Sequence, residues 1–183
     1  GSFVFLFLGD GEVASFSRGL TEHLERPLYN GLNFLKRVEY VIECNWKVFV
    51  DNYLDGGYHV LHMHPGLATQ LDIKSYETDL FDTFSVQYCK GQSADTKEEE
   101  VKGRVEGRAE YTWSYPNLMI NRYGKWMDTN WAMPIDENKC LIVFDYFHED
   151  APENFEASLK ASHQVQLEDM DICKMVQDGL KSE

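Results

Sequence analysis

Three histidines, His59, His62 and His64, stand within six residues, between two helix breakers, the Gly56-Gly57 pair and Pro65-Gly66. Neutral imidazole is the commonest protein ligand for a metal ion. Two imidazoles and one carboxylate hold a non-haem iron(II) ion on a single face and leave positions open for dioxygen and substrate. Spacing alone slightly prefers His59 with His62, unless the helix is broken. His59 and His62 share a face of a straight helix, whereas His59 and His64 are separated on it by about 140°. The second pair requires a broken or bulged helix, and the glycines and the proline supply the means. A His-rich helix end equally fits a satisfied surface cluster or an adventitious zinc site.

The elements that must carry these residues follow from hydrophobic periodicity. Trp46, Phe49, Val50, Tyr53 and Leu54 fall at i, i+3, i+4, i+7 and i+8, the pattern of a helix with one buried face. Phe34 to Cys44 reads as a strand feeding that helix. Upstream lie a short helix around Ser17–Leu24 and an apolar strand Phe3–Leu8, closed by the turn signal Gly9-Asp10-Gly11. Downstream, residues 70–90 alternate in strand fashion, and Gly91 to Gly107 is polar and reads as a mobile loop. Four strands follow, Ala109–Ser114, Leu118–Tyr123, Met127–Pro134 and Cys140–His148, the last after a turn at Asp136-Glu137-Asn138. Phe155 to Leu180 is one long helix, with Leu159, Met170, Cys173, Val176 and Leu180 as core contacts and fraying at Gly179. The class is α+β, a helix-grip (START-like) layout in which a curved antiparallel sheet wraps the long C-terminal helix.

Composition narrows the function. A chain of 183 residues with 43% hydrophobic content buries one real core without disulfide staples. No run approaches the roughly 18–20 apolar residues that span a bilayer. Phe3–Leu8 lacks the basic flank and small-residue cleavage site of a signal peptide. A net charge of -14 argues against nucleic acid, which is bound through clustered Lys and Arg. The four cysteines, Cys44, Cys89, Cys140 and Cys173, form no C-x-x-C or C-x-H pair and read as reduced, buried thiols. A Rieske iron–sulfur cluster needs two Cys and two His, and these residues do not provide that set.

The run from Glu43 through Val60, with Asn52-Tyr53-Leu54-Asp55 ahead of Tyr58-His59-Val60 and completed by His64, resembles the choline monooxygenase branch of the Rieske-type oxygenases. In that family two histidines five apart bind iron, which implies His59 and His64 as ligands and a distorted helix between them. The run Val165-Gln166-Leu167-Glu168-Asp169, continued by Cys173 and by Val176-Gln177-Asp178-Gly179-Leu180, resembles the family's last helix and implies Asp169 as the carboxylate ligand. From the residues themselves, Asp169 ranks only marginally above Glu168 and Asp171, which read as solvated. Family members place an acidic residue, usually three before the first histidine, that bridges to the cluster of a neighbouring subunit. Position 56 is glycine here, so the role falls on Asp55, four before His59. Asn52 and Asp51 are candidates to hold the far nitrogens of the histidines.

The same resemblance implies Fe(II) as cofactor, with a [2Fe-2S] cluster in the full-length protein but not in this chain. Residues 1–11 read as the end strand of a missing Rieske domain or a linker, and 12–183 as the catalytic domain, truncated at its C-terminus. A quaternary ammonium substrate, choline first, and dioxygen are implied, with a ferredoxin or flavin reductase as electron donor. A homotrimer in the cytoplasm or plastid stroma is implied too, with no nucleic-acid or membrane partner. A permanent cation is recognised by aromatic faces, and Tyr115, Tyr123, Trp126, Trp131 and Tyr146 are the candidates on the strands. The competing class is a non-catalytic helix-grip domain that binds a small ligand and uses its histidines structurally or for zinc.

Overall fold

The computed structural model describes residues 3–6, 13–91, 107–150, 152 and 155–182. Helix α1 spans Val13–Leu24, longer than the periodicity suggests, and a 3₁₀ turn Pro27–Tyr29 leads into strand β1, Asn33–Ile42. Three short helices follow: α2, Trp46–Tyr53; α3, Tyr58–Met63; and α4, Pro65–Ala68. Strands β2 (Leu71–Leu80), β3 (Phe84–Gly91), β4 (Arg108–Ser114), β5 (Leu118–Tyr123), β6 (Trp126–Asp136) and β7 (Lys139–His148) then run as a meander, and α5, Phe155–Leu180, closes the chain.

All seven strands form one antiparallel sheet in the order β1-β7-β6-β5-β4-β3-β2. The first strand therefore lies beside the last, and the three short helices are carried across the sheet between β1 and β2. Successive side chains on a strand face opposite ways, and the two main cores divide accordingly. Met119, Ala132 and Ile142 pack on one face with Phe49 and Val50 of α2 and Cys173 of α5. Ile120 and Met127 pack on the other face with Leu20 and Leu24 of α1.

Two expectations need correction. Phe3–Leu6 is not a buried strand: it has no regular structure, and Val4 and Leu6 are exposed, because no sheet neighbour pairs with it among the described residues. Leu8 and the Gly9-Asp10-Gly11 signal lie outside the described residues, as does most of the polar segment after Gly91. On α5, Leu159, Met170 and Cys173 pack inward, but Val176 and Leu180 are exposed. The buried stripe is instead Ser162, Gln166, Cys173 and Gln177. A helix that contributes polar groups to a site on its inner face cannot also present the apolar stripe that periodicity looks for. All four cysteines are buried and unpaired, and Cys44 and Cys140 bring their sulfurs to 3.9 Å.

Candidate metal centre

Asn45 starts α2 by accepting the Lys47 N–H with its side chain, and its own N–H donates to Gln177 Oε1 of α5 at 2.7 Å. This joint holds α2 against the long helix, so Asn52, near the end of α2, faces Asp169 and donates Nδ2–H to its Oδ1 at 2.8 Å. The chain then breaks. Gly56 and Gly57 both take positive φ, 74° and 79°, a region that side chains with a Cβ disfavour. Asp55 caps the restart: its carboxylate accepts the Gly57 N–H at 2.9 Å and the His59 N–H at 2.8 Å.

Helix α3 carries His59 and stops at Met63. His64 lies outside the helix, at φ -117° and ψ 70°, and Pro65 opens α4 directly after it. That non-helical residue cancels the straight-helix offset. The rings of His59 and His64 come to 5.1 Å between centroids at an interplanar angle of 86°. His62 points away, exposed, against the ring of Tyr58.

Asp169 meets this pair from α5. Its Oδ1 lies 3.1 Å from His64 Nε2 and 3.8 Å from His59 Nε2. One donor atom from each of the three residues falls within 4.8 Å of the others. Two neutral imidazoles and a carboxylate brought this close are a donor set that would suit a divalent ion such as iron(II). The far nitrogens support the same reading. His59 Nδ1 lies 2.8 Å from Asp55 Oδ1, and His64 Nδ1 lies 2.7 Å from Glu168 Oε2. Glu168 is hydrogen-bonded behind the His64 ring and turns its Nε2 toward the common point, as metal-ligating histidines require; Asp55 stands close behind the His59 ring without a hydrogen bond to Nδ1.

Burial favours a neutral His64, but Asp169 and Glu168 outweigh it and raise its pKa. Burial likewise pulls Asp55 upward, while the His59 ring and the two backbone N–H groups hold its carboxyl below the usual range. Three residues differ from expectation. Asn52 orients the carboxylate rather than a ring, and Asp51 is exposed. Glu168 is not solvated but is the partner of His64, while Asp171 is exposed as read.

A cavity of about 430 Å³ opens on the centre, with His59, His64 and Asp169 in its wall. Its aromatic lining is Phe49, Tyr53, Tyr76, Tyr111, Tyr123 and Phe144. Of the five aromatic candidates only Tyr123 is among them. Tyr115 is 59% exposed, beyond the end of β4, and Trp131 is 50% exposed because it stands on the opposite face of β6 from Asp128 and Asn130. Trp126 stacks on Phe155 at the start of α5, and Tyr146 is sealed under α5, sharing a hydrogen bond with Ser162 at 2.9 Å.

Residues 30–183 match the family described as ring hydroxylating alpha subunit (catalytic domain). The chain belongs to this family. The chain is 48% identical over 156 residues to a chloroplastic choline monooxygenase of Arabidopsis thaliana, covering 83% of this chain and 36% of that protein. It is 38% identical over 179 residues to the chloroplastic choline monooxygenase of Atriplex hortensis, covering 96% of this chain and 39% of that one. The chain therefore spans well under half the length of these relatives. A solved quaternary ammonium Rieske monooxygenase superposes with a TM-score of 0.80 at 24% identity, over 94% of this chain and 48% of the other. A naphthalene 1,2-dioxygenase from Rhodococcus sp. gives 0.69 at 15% identity, over 94% and 50%. Both share the fold described above.

Proposed function

We propose that this chain holds iron(II) through His59, His64 and Asp169 and hydroxylates a quaternary ammonium substrate, choline to betaine aldehyde in the first instance. The observation that carries the reading is the convergence of those three donors within 4.8 Å on the wall of an aromatic-lined cavity. When bound, iron(II) supplies dioxygen activation at open coordination positions. The chain's own residues do the rest. Asp55 and Glu168 hold the two rings, Asn52 holds Asp169, and tyrosine and phenylalanine faces attract a permanent cation by about 0.5–2 kcal/mol each. The choline and carnitine monooxygenases among the relatives support that substrate class.

The half-buried Asp55, its carboxylate against His59, is the residue we assign to electron entry from the [2Fe-2S] cluster of a neighbouring subunit in a homotrimer. A ferredoxin or flavin reductase would supply that cluster. The chloroplastic relatives favour the plastid stroma as compartment.

Metal analysis after anaerobic purification tests the centre. Stoichiometric iron is expected, and His59→Ala, His64→Ala and Asp169→Ala should each lose it. A wild-type protein without iron, or variants that all retain it, would return the cavity to a plain ligand-binding role.

A further inference from the structure

The cavity wall opposite α5 carries a buried carboxylate that the metal centre does not use. Asp128, on β6, is 4% exposed and lines the cavity. Tyr123 donates its O–H to Asp128 Oδ1 in a short hydrogen bond, and Asn121 and Asn130 donate Nδ2–H to Oδ2 at 2.7 and 2.9 Å. All three partners are neutral. Asn121 is itself fixed by Tyr53, whose O–H donates to its Oδ1 at 2.7 Å. The carboxylate thus sits in a seat built from neutral donors, and among the described residues no Lys or Arg lines the cavity. A buried charge is costly unless paired. The other carboxylates in the wall, Glu168 and Asp169, are engaged with His64.

A second observation points to a ligand in the same space. Gln166 of α5 is 2% exposed and lines the cavity, yet its Nε2–H group has no hydrogen-bond partner. Such a buried orphan donor is rare in folded proteins and calls for an acceptor.

We infer that Asp128 is a specificity-determining residue that balances the substrate's cationic nitrogen, while Gln166 donates a hydrogen bond to a neutral oxygen on the same molecule. This rests on the proposed function and narrows it to a hydroxylated quaternary ammonium. A quaternary nitrogen has no N–H to offer, so its attraction to Asp128 is purely Coulombic. The donors already on the carboxylate need not be displaced, and the aromatic faces can share the charge.

The test is calorimetric binding to the iron-loaded protein under anaerobic conditions. The ligands are choline, its neutral isostere with carbon in place of nitrogen, and tetramethylammonium. Wild type should prefer choline to the isostere by well over tenfold. Asp128→Asn should cut that preference by about tenfold or more, the effect of one close desolvated charge, and Asp128→Glu should keep most of it. Gln166→Leu should weaken choline but leave tetramethylammonium unchanged. If Asp128→Asn does not fold, Asp128→Ser removes the same charge. The wild-type preference is a further check, since equal affinity for choline and its isostere overturns the inference without any variant. An unchanged preference in a folded neutral variant overturns the assignment to Asp128 but leaves the proposed function standing. A wild-type protein with its iron but no affinity for any quaternary ammonium overturns both.

Discussion

Glu168 and His64 are joined at 2.7 Å through Oε2 and Nδ1, while the next residue, Asp169, reaches the other nitrogen of the same ring at 3.1 Å. Two successive residues of one helix thus grip both ends of an imidazole that is itself 1% exposed. The geometry works because His64 has left α3 and turns both ring nitrogens to α5. Removing the back partner should cost 10–100-fold in metal affinity. Glu168→Gln is therefore expected to bind iron(II) about that much more weakly in chelator competition, with a thermal melt close to wild type. Unchanged affinity would mean that Asp169 alone sets the ring.

Asp55 performs two tasks at once, and two substitutions separate them. Its carboxylate lies 2.8 Å from His59 Nδ1 and accepts the Gly57 and His59 backbone N–H groups. Asp55→Asn keeps one of the two acceptors that the helix start uses and loses the charge behind the ring. Iron affinity should fall about tenfold, with a smaller loss in melting than Asp55→Ala. Asp55→Ala also loses the cap, at about 1 kcal/mol. Both numbers come from one titration and one melt, and a variant pair equal in both would deny Asp55 the double role.

Much of this arrangement is legible in the sequence, and the rest is hidden for physical reasons. The helix break at Gly56-Gly57 and Pro65 is local chain chemistry, so a distorted path through His59 and His64 could be anticipated. Glu168 could not be separated from solvated acids, because its partner lies 104 residues away in sequence. Four of the five aromatic candidates lie off the cavity for a different reason. Strand alternation tells which residues share a face but not which face covers the cavity, and Trp131 fell on the wrong one. The signal that was present and unread is Asp128 and Asn130, two polar residues at alternate positions of a central strand. In such a strand, an inward pair of this kind marks a wall rather than a core.

Stability should fall in mild acid through His23. Its Nε2 stands 2.9 Å from Thr112 Oγ1 and 3.0 Å from the Tyr29 hydroxyl, and its pKa is lowered to about 4 by burial and by the Arg26 guanidinium, against the opposing pull of Glu110. The folded value lies below the unfolded 6.5, so the unfolded chain takes up the proton first. The contribution is complete above pH 6.5 and is lost as pH falls from there toward 4, by about 1–2 kcal/mol after allowing for solvent screening. His23→Gln should melt with a shallower pH dependence than wild type between pH 7 and 5. Parallel curves would mean that His23 is already solvated in the folded state.

The glycine pair offers the sharpest test of how the break is built. Both residues have positive φ, so an alanine at either costs about 1–2 kcal/mol of backbone strain. Only Gly57 adds a collision. A Cβ there would fall 2.8 Å from Tyr76 Cε2, whereas at Gly56 it meets nothing within 4 Å. The Tyr76 ring cannot simply swing away, because its hydroxyl donates to Gln87 Oε1 at 3.0 Å and Gln87 in turn donates to the Tyr53 carbonyl at 3.0 Å. Gly57→Ala should therefore lose about 1–3 kcal/mol more than Gly56→Ala in denaturant melts. It should also lose iron affinity, since His59 lies two residues on, while Gly56→Ala keeps it. Equal losses in the two variants would show that Tyr76 yields and that the path between the helices is set by Asp55 alone.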